Sequence, residues 1–332
     1  MDIRNRRALK EAADRSLAAA AYDPKKLILI HTGVSLLLAL AATGLDMVLG
    51  TRIADTGGLS GLGMRSVLST IQSFLRLANL VVLPFWELGL VFAAMRLAKG
   101  QETRPGSLLE GFRRWGPALR LFLIQALLYV VIGIVSMNIA SYIFMLTPLA
   151  LPLMEMLTPY LESPQTMPVL DEATALAVAR ATIPMLLIFL ALYLLMAIPF
   201  SYQLRMANYA LMDAPYEGAM VAMRKSRRLM RRRKLQLFKL DLSFWWFYAG
   251  LVLTSLVCYG DVFLPLLGVA LPFSETVSFF LFFVLSQGMQ LALYYFLRGK
   301  VAVTYAHAYG ALCDPQPEVQ PQAPRHQPWS YE

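Results

Sequence analysis

Cysteine is scarce in this chain of 332 residues. There are two, Cys258 and Cys313, in different regions and in neither a CxxC nor a metal-ligand spacing, so disulfide scaffolds, redox dithiols and zinc sites lack the residues they need. Histidine is nearly as scarce. His31, His307 and His326 form no HExxH, and no G-x-S-x-G elbow, Walker A lysine loop or aspartate-rich phosphotransferase motif occurs. Catalysis needs a nucleophile, a general base or a metal in workable geometry, and these gaps make a non-enzymatic protein without metal or cofactor the expectation. Charge is also thin. Charged residues are 15% against 58% hydrophobic, with a mean hydropathy of +0.54, too little polar surface to cover a soluble globule. The chain opens on a charged, helix-forming stretch rather than a short apolar signal region with a small-residue cleavage site, so no cleaved targeting peptide is expected.

What is abundant is apolar sequence. Six segments stand out: Leu27 to Leu49, Leu77 to Met95, Ala118 to Phe144, Ile183 to Leu204, Leu242 to Cys258 and Val277 to Leu297. Each approaches the twenty or so residues that cross a bilayer core as a helix. The expected fold is an all-α membrane protein of six transmembrane helices. Lys and Arg set its orientation, because basic loops stay cytoplasmic. Residues 1–26, 96–118, 205–241 and 298–332 hold seven, five, ten and three, a total of 25, against three in the alternate connections 50–66, 146–182 and 259–276. That alternation predicts an even number of spans in the cytoplasmic membrane with both termini cytoplasmic.

The external connections differ in character. The first is glycine-rich (Gly57, Gly58, Gly61, Gly63) and reads as a flexible turn. The second mixes Pro148, Pro152, Pro159, Pro164 and Pro168 with leucines and methionines and reads as lying in the outer interface. The third, Val262 to Phe273, is apolar but too short to span and reads as interfacial or re-entrant. These limits predict a membrane domain over 1–313 and a disordered Pro/Gln-rich tail over 314–332.

Each odd-numbered span is preceded by a basic amphipathic stretch, over about 5–21, 107–115 and 216–232. Two readings stand: one unit of interfacial helix plus transmembrane hairpin repeated three times, or three unrelated basic loops. In the second stretch Ser107 and Glu110 have capping-box spacing, and Leu108, Leu109, Phe112 and Trp115 share one side. In the third, Ala219, Met220, Ala222, Met223, Ser226, Leu229 and Met230 fall on one arc and Arg224, Lys225, Arg228, Arg231 and Arg232 on the opposite one. Arg233 and Lys234 would fall back among the apolar residues, so a break near Arg232 is predicted.

The stretch IPFSYQLRMANYALMDAP, the helix ending SRRLMRRRK and the following LQLFKLDLSF resemble the signature of a bacterial integral membrane family catalogued as domain of unknown function 975. The opening IRNRRALKEAADRSL is similar to that family's basic N-terminal helix. The resemblance implies six spans and an alanine- and tyrosine-rich last segment, here VAVTYAHAYGAL from Val301 to Leu312. It covers residues 198–243 well, most of 1–313 loosely, and the tail not at all. The proline-rich loop is longer than the family pattern. The resemblance implies no activity and brings no catalytic positions.

Glu87 is the outlier among the charges. It is the eleventh of the 19 residues between Arg76 and Arg96 and follows Pro84, which places it near mid-membrane, where a carboxylate costs roughly 2.5–3.5 kcal/mol on insertion scales. Gln125, Asn138, Gln203, Gln287 and Gln290 are candidate polar neighbours. Either Glu87 is a proton- or cation-linked site, or it is protonated and joins helices by a hydrogen bond. His31, one turn into the first span, reads as an interfacial histidine.

The run RKSRRLMRRRK holds eight basic residues in eleven. It lies between two spans and lacks aromatics for base stacking, so nucleic acid is not the expected partner. Anionic lipid is nearer, and Arg224, Lys225, Arg228, Arg231 and Arg232 are the candidate headgroup ligands; topology without a specific ligand is the competing reading. The expected function is therefore a non-enzymatic integral membrane protein whose basic helices grip anionic lipid and recruit a protein partner. The alternative is a transporter or lipid-translocating protein with Glu87 in a polar intramembrane cavity.

Overall fold

A computed structural model describes residues 5–55, 62–151, 154, 172–261, 264, 272 and 274–313. Most of the glycine-rich turn, nearly all of the proline-rich loop and of the Val262 to Phe273 stretch, His326 and the Pro/Gln tail lie outside the described residues. Within them no strand occurs. The chain divides into two compact units, Met1–Leu119 with Met206–Glu332, and Arg120–Arg205.

Among the described residues five helices are long and apolar enough to cross a membrane, within Pro24–Leu45, Leu80–Ala98, Trp115–Met145, Thr182–Asp213 and Val277–Cys313. A sixth is counted if Lys234–Leu242 and Trp245–Cys258, bent by 68° at their junction, make one span. The apolar segments thus mark a multi-pass membrane protein. Their limits shift where a charge finds a partner. Sequence ends the last segment at Leu297 because Arg298 and Lys300 follow, yet the helix continues to Cys313, since Arg298 meets Glu87 and Lys300 lies 2.7 Å from Asp14.

In the first unit, α1 (Arg6–Ala18) starts where the Asn5 side chain accepts a hydrogen bond from the Ala8 N–H, at 3.1 Å, a capping bond for an otherwise orphaned donor. Its Leu9, Ala12 and Ala13 are buried at the i, i+3, i+4 spacing of one stripe. That stripe packs on protein. The Ser16 hydroxyl is hydrogen-bonded to His307 Nε2 at 2.9 Å, Lys300 pairs with Asp14, and Lys10 donates to the Ser243 carbonyl at 2.7 Å.

The long α2 (Pro24–Asp55) and α3 (Leu62–Ala98) pack together around Leu27, Ile28, Trp86, Leu90 and Ala93. After α3 comes a 3-10 turn, Pro105–Leu109, and a single helical turn, α4 (Glu110–Arg113). Here the expected amphipathic helix over 107–115 is corrected. The Ser107 hydroxyl accepts from the Arg104 N–H at 3.3 Å, Glu110 pairs with Arg113 and Arg114, and Leu108 is buried while Leu109 and Trp115 are exposed. The turn is held against α3 by backbone approach: a Cβ on Gly89 would stand 1.8 Å from the Leu108 carbonyl oxygen, and one on Gly111 2.0 Å from that of Phe85. Only glycine fits at either place.

The remaining helices of this unit among the described residues are α7 (Ala207–Asp213), α8 (Ala219–Met230), α9 (Lys234–Leu242), α10 (Trp245–Cys258), α11 (Glu275–Leu293) and α12 (Gly299–Cys313), with a π-helical turn at Tyr294–Arg298 between the last two. α8 ends at Met230, and Arg232 takes φ +65°, a left-handed conformation that turns the chain.

The second unit carries most of α5 (Trp115–Met145) and α6 (Glu172–Leu204). Ile132, Ala140 and Phe144 are buried, whereas Leu127, Val130, Ile134, Leu187 and Leu195 are exposed. Large apolar side chains facing outward in such numbers suit helices whose solvent is lipid. Ser136 donates to Met196 Sδ at 3.6 Å, satisfying a hydroxyl that would otherwise stand alone in this apolar pair.

Candidate functional site

Glu87 projects from α3 between Trp86 and Leu88, both buried. The close approach at Gly89 fixes the rotation of α3 at this level, so the direction of Glu87 is set two residues away. Its partner is Arg298, at the end of the π-helical turn, a distortion that is uncommon in helices and recurs at functional sites. Arg298 Nη2 donates to both carboxylate oxygens, 2.6 Å to Oε1. The guanidinium also lies over the Tyr294 ring, 4.2 Å from its centroid, and the Tyr294 hydroxyl accepts from Gln290 Nε2 at 3.1 Å. A cation in this position gains from both carboxylate and ring.

Beside the pair is a cavity of about 240 Å³ whose walls include Thr32 and Ser35 of α2, Glu87 of α3, Gln287 and Gln290 of α11, and Tyr294. Leucines from all three helices (Leu36, Leu83, Leu291) complete it. Of the neighbours suggested by sequence, Gln287 and Gln290 share this cavity, whereas Gln125, Asn138 and Gln203 belong to the other unit. Asn138 bonds back to its own helix at the Ile134 carbonyl, 2.8 Å away. Arg298 is the residue sequence reading missed, having been counted with the cytoplasmic end. Its position directly after an apolar run and directly before a small, alanine-rich helix is the signal that was available.

His31 is covered by protein rather than open to a lipid headgroup. It is 1% exposed, stacked on Trp86 with ring centroids 5.3 Å apart, and its carbonyl accepts from Trp86 Nε1 at 2.9 Å. Among the described residues neither of its ring nitrogens has a hydrogen-bond partner. No group of three or more His, Cys, Asp or Glu among the described residues is placed to hold a metal ion.

The basic residues form a second constellation. On α8, Ala219, Ala222, Met223, Ser226 and Met230 are buried and Arg224, Arg227 and Arg228 exposed, but Met220 is also exposed. The inward arc is covered by protein, including α7, rather than left for lipid. Lys225, expected to meet headgroups, is instead tied to Asp213 at 3.4 Å and lies over the Tyr309 ring. Asp213 also accepts from Lys99 at 2.9 Å and from the Tyr309 hydroxyl at 3.1 Å, so this residue of the YALMDAP stretch joins α8, α12 and the turn that follows α3. Beyond it, Arg228, Arg231, Arg232 and Arg233 line an open surface hollow of about 450 Å³ with Leu229 and Leu312. Arg233 joins because the turn at Arg232 redirects the chain. Among the described residues none of these four arginines makes a salt bridge.

No curated protein and no solved structure matches the chain. Residues 5–299 match the family model described as "Protein of unknown function (DUF975)". With a match over most of its length, an all-helical architecture and apolar helices of membrane length, the chain belongs to the DUF975 family.

Proposed function

We propose that the protein is a non-enzymatic, multi-pass component of the bacterial cytoplasmic membrane, with both termini in the cytoplasm, whose arginine cluster at the α8–α9 turn binds the phosphate of anionic lipids in the inner leaflet. The observation that carries this reading is the set of Arg228, Arg231, Arg232 and Arg233 along one open surface hollow with no carboxylate answering them among the described residues. Arginine forks match phosphate oxygens. The neighbours suit a membrane surface: Leu235 is 74% exposed one turn on, and Trp245 and Trp246, both exposed, stand at the start of α10, as rings do at headgroup level. Each cation near an anionic leaflet is worth about 1 kcal/mol. Arg224 and Arg227 extend the same charged face, which also suits an acidic protein partner.

The test is native mass spectrometry of the detergent-purified protein offered phosphatidylglycerol and phosphatidylcholine together. Retention of phosphatidylglycerol in preference, lost when the four arginines are changed to glutamine, is the expected result; equal retention overturns the reading.

A second reading, a transport or lipid-translocating role, is favoured by the cavity beside Glu87 and Arg298. A protein serving only as an anchor has no use for polar side chains from α2, α3 and α11 turned to one space at membrane depth. Gln287→Cys, in a background lacking Cys258 and Cys313, tests whether that space is reachable: labelling by a small thiol reagent in the folded protein supports the reading, and inertness removes it.

A further inference from the structure

We infer that the cavity at Glu87 binds an uncharged, hydroxyl-rich group of the size of one sugar ring, the glycosyl headgroup of a membrane lipid or a free sugar. The inference rests on the second reading above and names its ligand class.

The charge balance comes first. Glu87 and Arg298 neutralise each other, so the site as built carries no net charge. A ligand with a net charge would bring that charge to membrane depth unmatched, which is costly. An anionic headgroup would in addition face the Glu87 carboxylate, and an ammonium would share that carboxylate with the guanidinium already on it. A neutral ligand avoids each penalty.

The hydrogen-bonding groups then specify its chemistry. The Glu87 side chain is 47% exposed despite its pairing, and each carboxylate oxygen has acceptor capacity beyond the one bond from Arg298 Nη2. Gln287 is half-buried and makes no side-chain hydrogen bond among the described residues, leaving an amide donor and an amide acceptor to be answered. Thr32 is 5% exposed, lines the same cavity, and its hydroxyl has no partner among the described residues. Buried polar groups without partners are costly. A group that donates to a carboxylate and also both donates to and accepts from an amide is a hydroxyl, and several such groups on one frame make a polyol or sugar.

Size and wall complete the match. A space of about 240 Å³ equals roughly eight waters at about 30 Å³ each, room for one pyranose ring. Leu36, Leu83 and Leu291 give it an apolar side, against which the C–H face of such a ring packs.

The experiment uses the full chain in nanodiscs or detergent. Native mass spectrometry compares monoglucosyl diacylglycerol with diacylglycerol and phosphatidylglycerol, and calorimetry measures free glucose. The expected result is retention of the glucosyl lipid over diacylglycerol by about tenfold or more, reduced to the diacylglycerol level in Gln287→Leu and in the near-isosteric Thr32→Val, and unchanged in Asn138→Ala, at a residue of the other unit. Saturable binding of glucose, lost in the same two variants, assigns the site to the free sugar. Wild-type protein that retains glucosyl lipid no better than diacylglycerol and does not bind glucose overturns the inference, as does preference for phosphatidylglycerol at this cavity. The Gln287→Cys labelling separates the two levels. An inert cysteine removes the reading and the inference together, whereas a reactive one without glycosyl preference removes the inference alone.

Discussion

Arg298 reaches Glu87 across 211 positions of sequence, and a single guanidinium nitrogen serves both carboxylate oxygens. Each residue alone would be an unpaired charge beside an apolar run. Paired, they let α3 hold a carboxylate within an apolar run and let the last helix continue past Arg298.

The pair should therefore be energetically coupled. Removing one partner of a fully buried pair costs about 3–5 kcal/mol; with Glu87 half exposed, Arg298→Met or Glu87→Leu should each cost less, about 1–3 kcal/mol. The double variant should be more stable than the sum of the two losses predicts. Thermal unfolding in detergent measures all four proteins, and strict additivity would remove the coupling.

Backbone approach at Gly89 should be the most sensitive point in the packing around the site. Gly89→Ala places a methyl 1.8 Å from the Leu108 carbonyl oxygen, so α3 and the 3-10 turn must separate, at about 1–3 kcal/mol. Gly33→Ala in α2, where no atom lies within 4 Å of the new Cβ, should be neutral or slightly stabilising. Equal melting temperatures for the two variants would contradict the close approach.

Asp213→Asn should loosen α8. The amide keeps the shape but loses charge-assisted bonds to Lys99 and Lys225. Both bridges are partly solvated, so the stability loss should be small, about 0.2–1 kcal/mol for each. Access should change more: limited trypsin digestion after Arg227, Arg228 and Arg231 is expected to accelerate several-fold. Unchanged cleavage would show that the buried arc of α8 holds the helix without Asp213.

The basic asymmetry makes its own prediction for topology. Gly58→Cys and Ser163→Cys, in a background without Cys258 and Cys313, should react with an impermeant thiol reagent in intact cells, while Gln101→Cys and Ser330→Cys should not. Labelling of the last two would reverse or break the arrangement with both termini inside.

Much of the fold was legible because its signals are local. Apolar runs located the helices, and the return of Arg233 and Lys234 to the apolar arc marked the turn that Arg232 makes at φ +65°. Glu87 was conspicuous as a carboxylate inside an apolar run. Its partner was not, since nothing near Arg298 in sequence records a carboxylate on a distant helix. The arc of Ala219, Ala222, Met223, Ser226 and Met230 was readable as a surface to be buried, but periodicity does not say whether lipid or protein buries it. His31 is a related case: a histidine near a helix end reads as open to a headgroup until Trp86 is seen to cover it. At Ser107 the capping spacing was present, but Pro105 and the contact with Gly89 favour a 3-10 turn whose Ser107 hydroxyl serves Arg104.

The central claim, that Arg228, Arg231, Arg232 and Arg233 select anionic lipid, is tested most directly in a bilayer by spin-labelled phosphatidylglycerol and phosphatidylcholine, read as the fraction of each label immobilised by the protein. The account predicts a larger immobilised fraction for phosphatidylglycerol at low salt. That excess should shrink at about 1 M salt, where the screening length falls to about 3 Å, and should disappear when the four arginines become glutamine. Equal fractions for the two lipids at low salt, or an excess that survives the four substitutions, would contradict it.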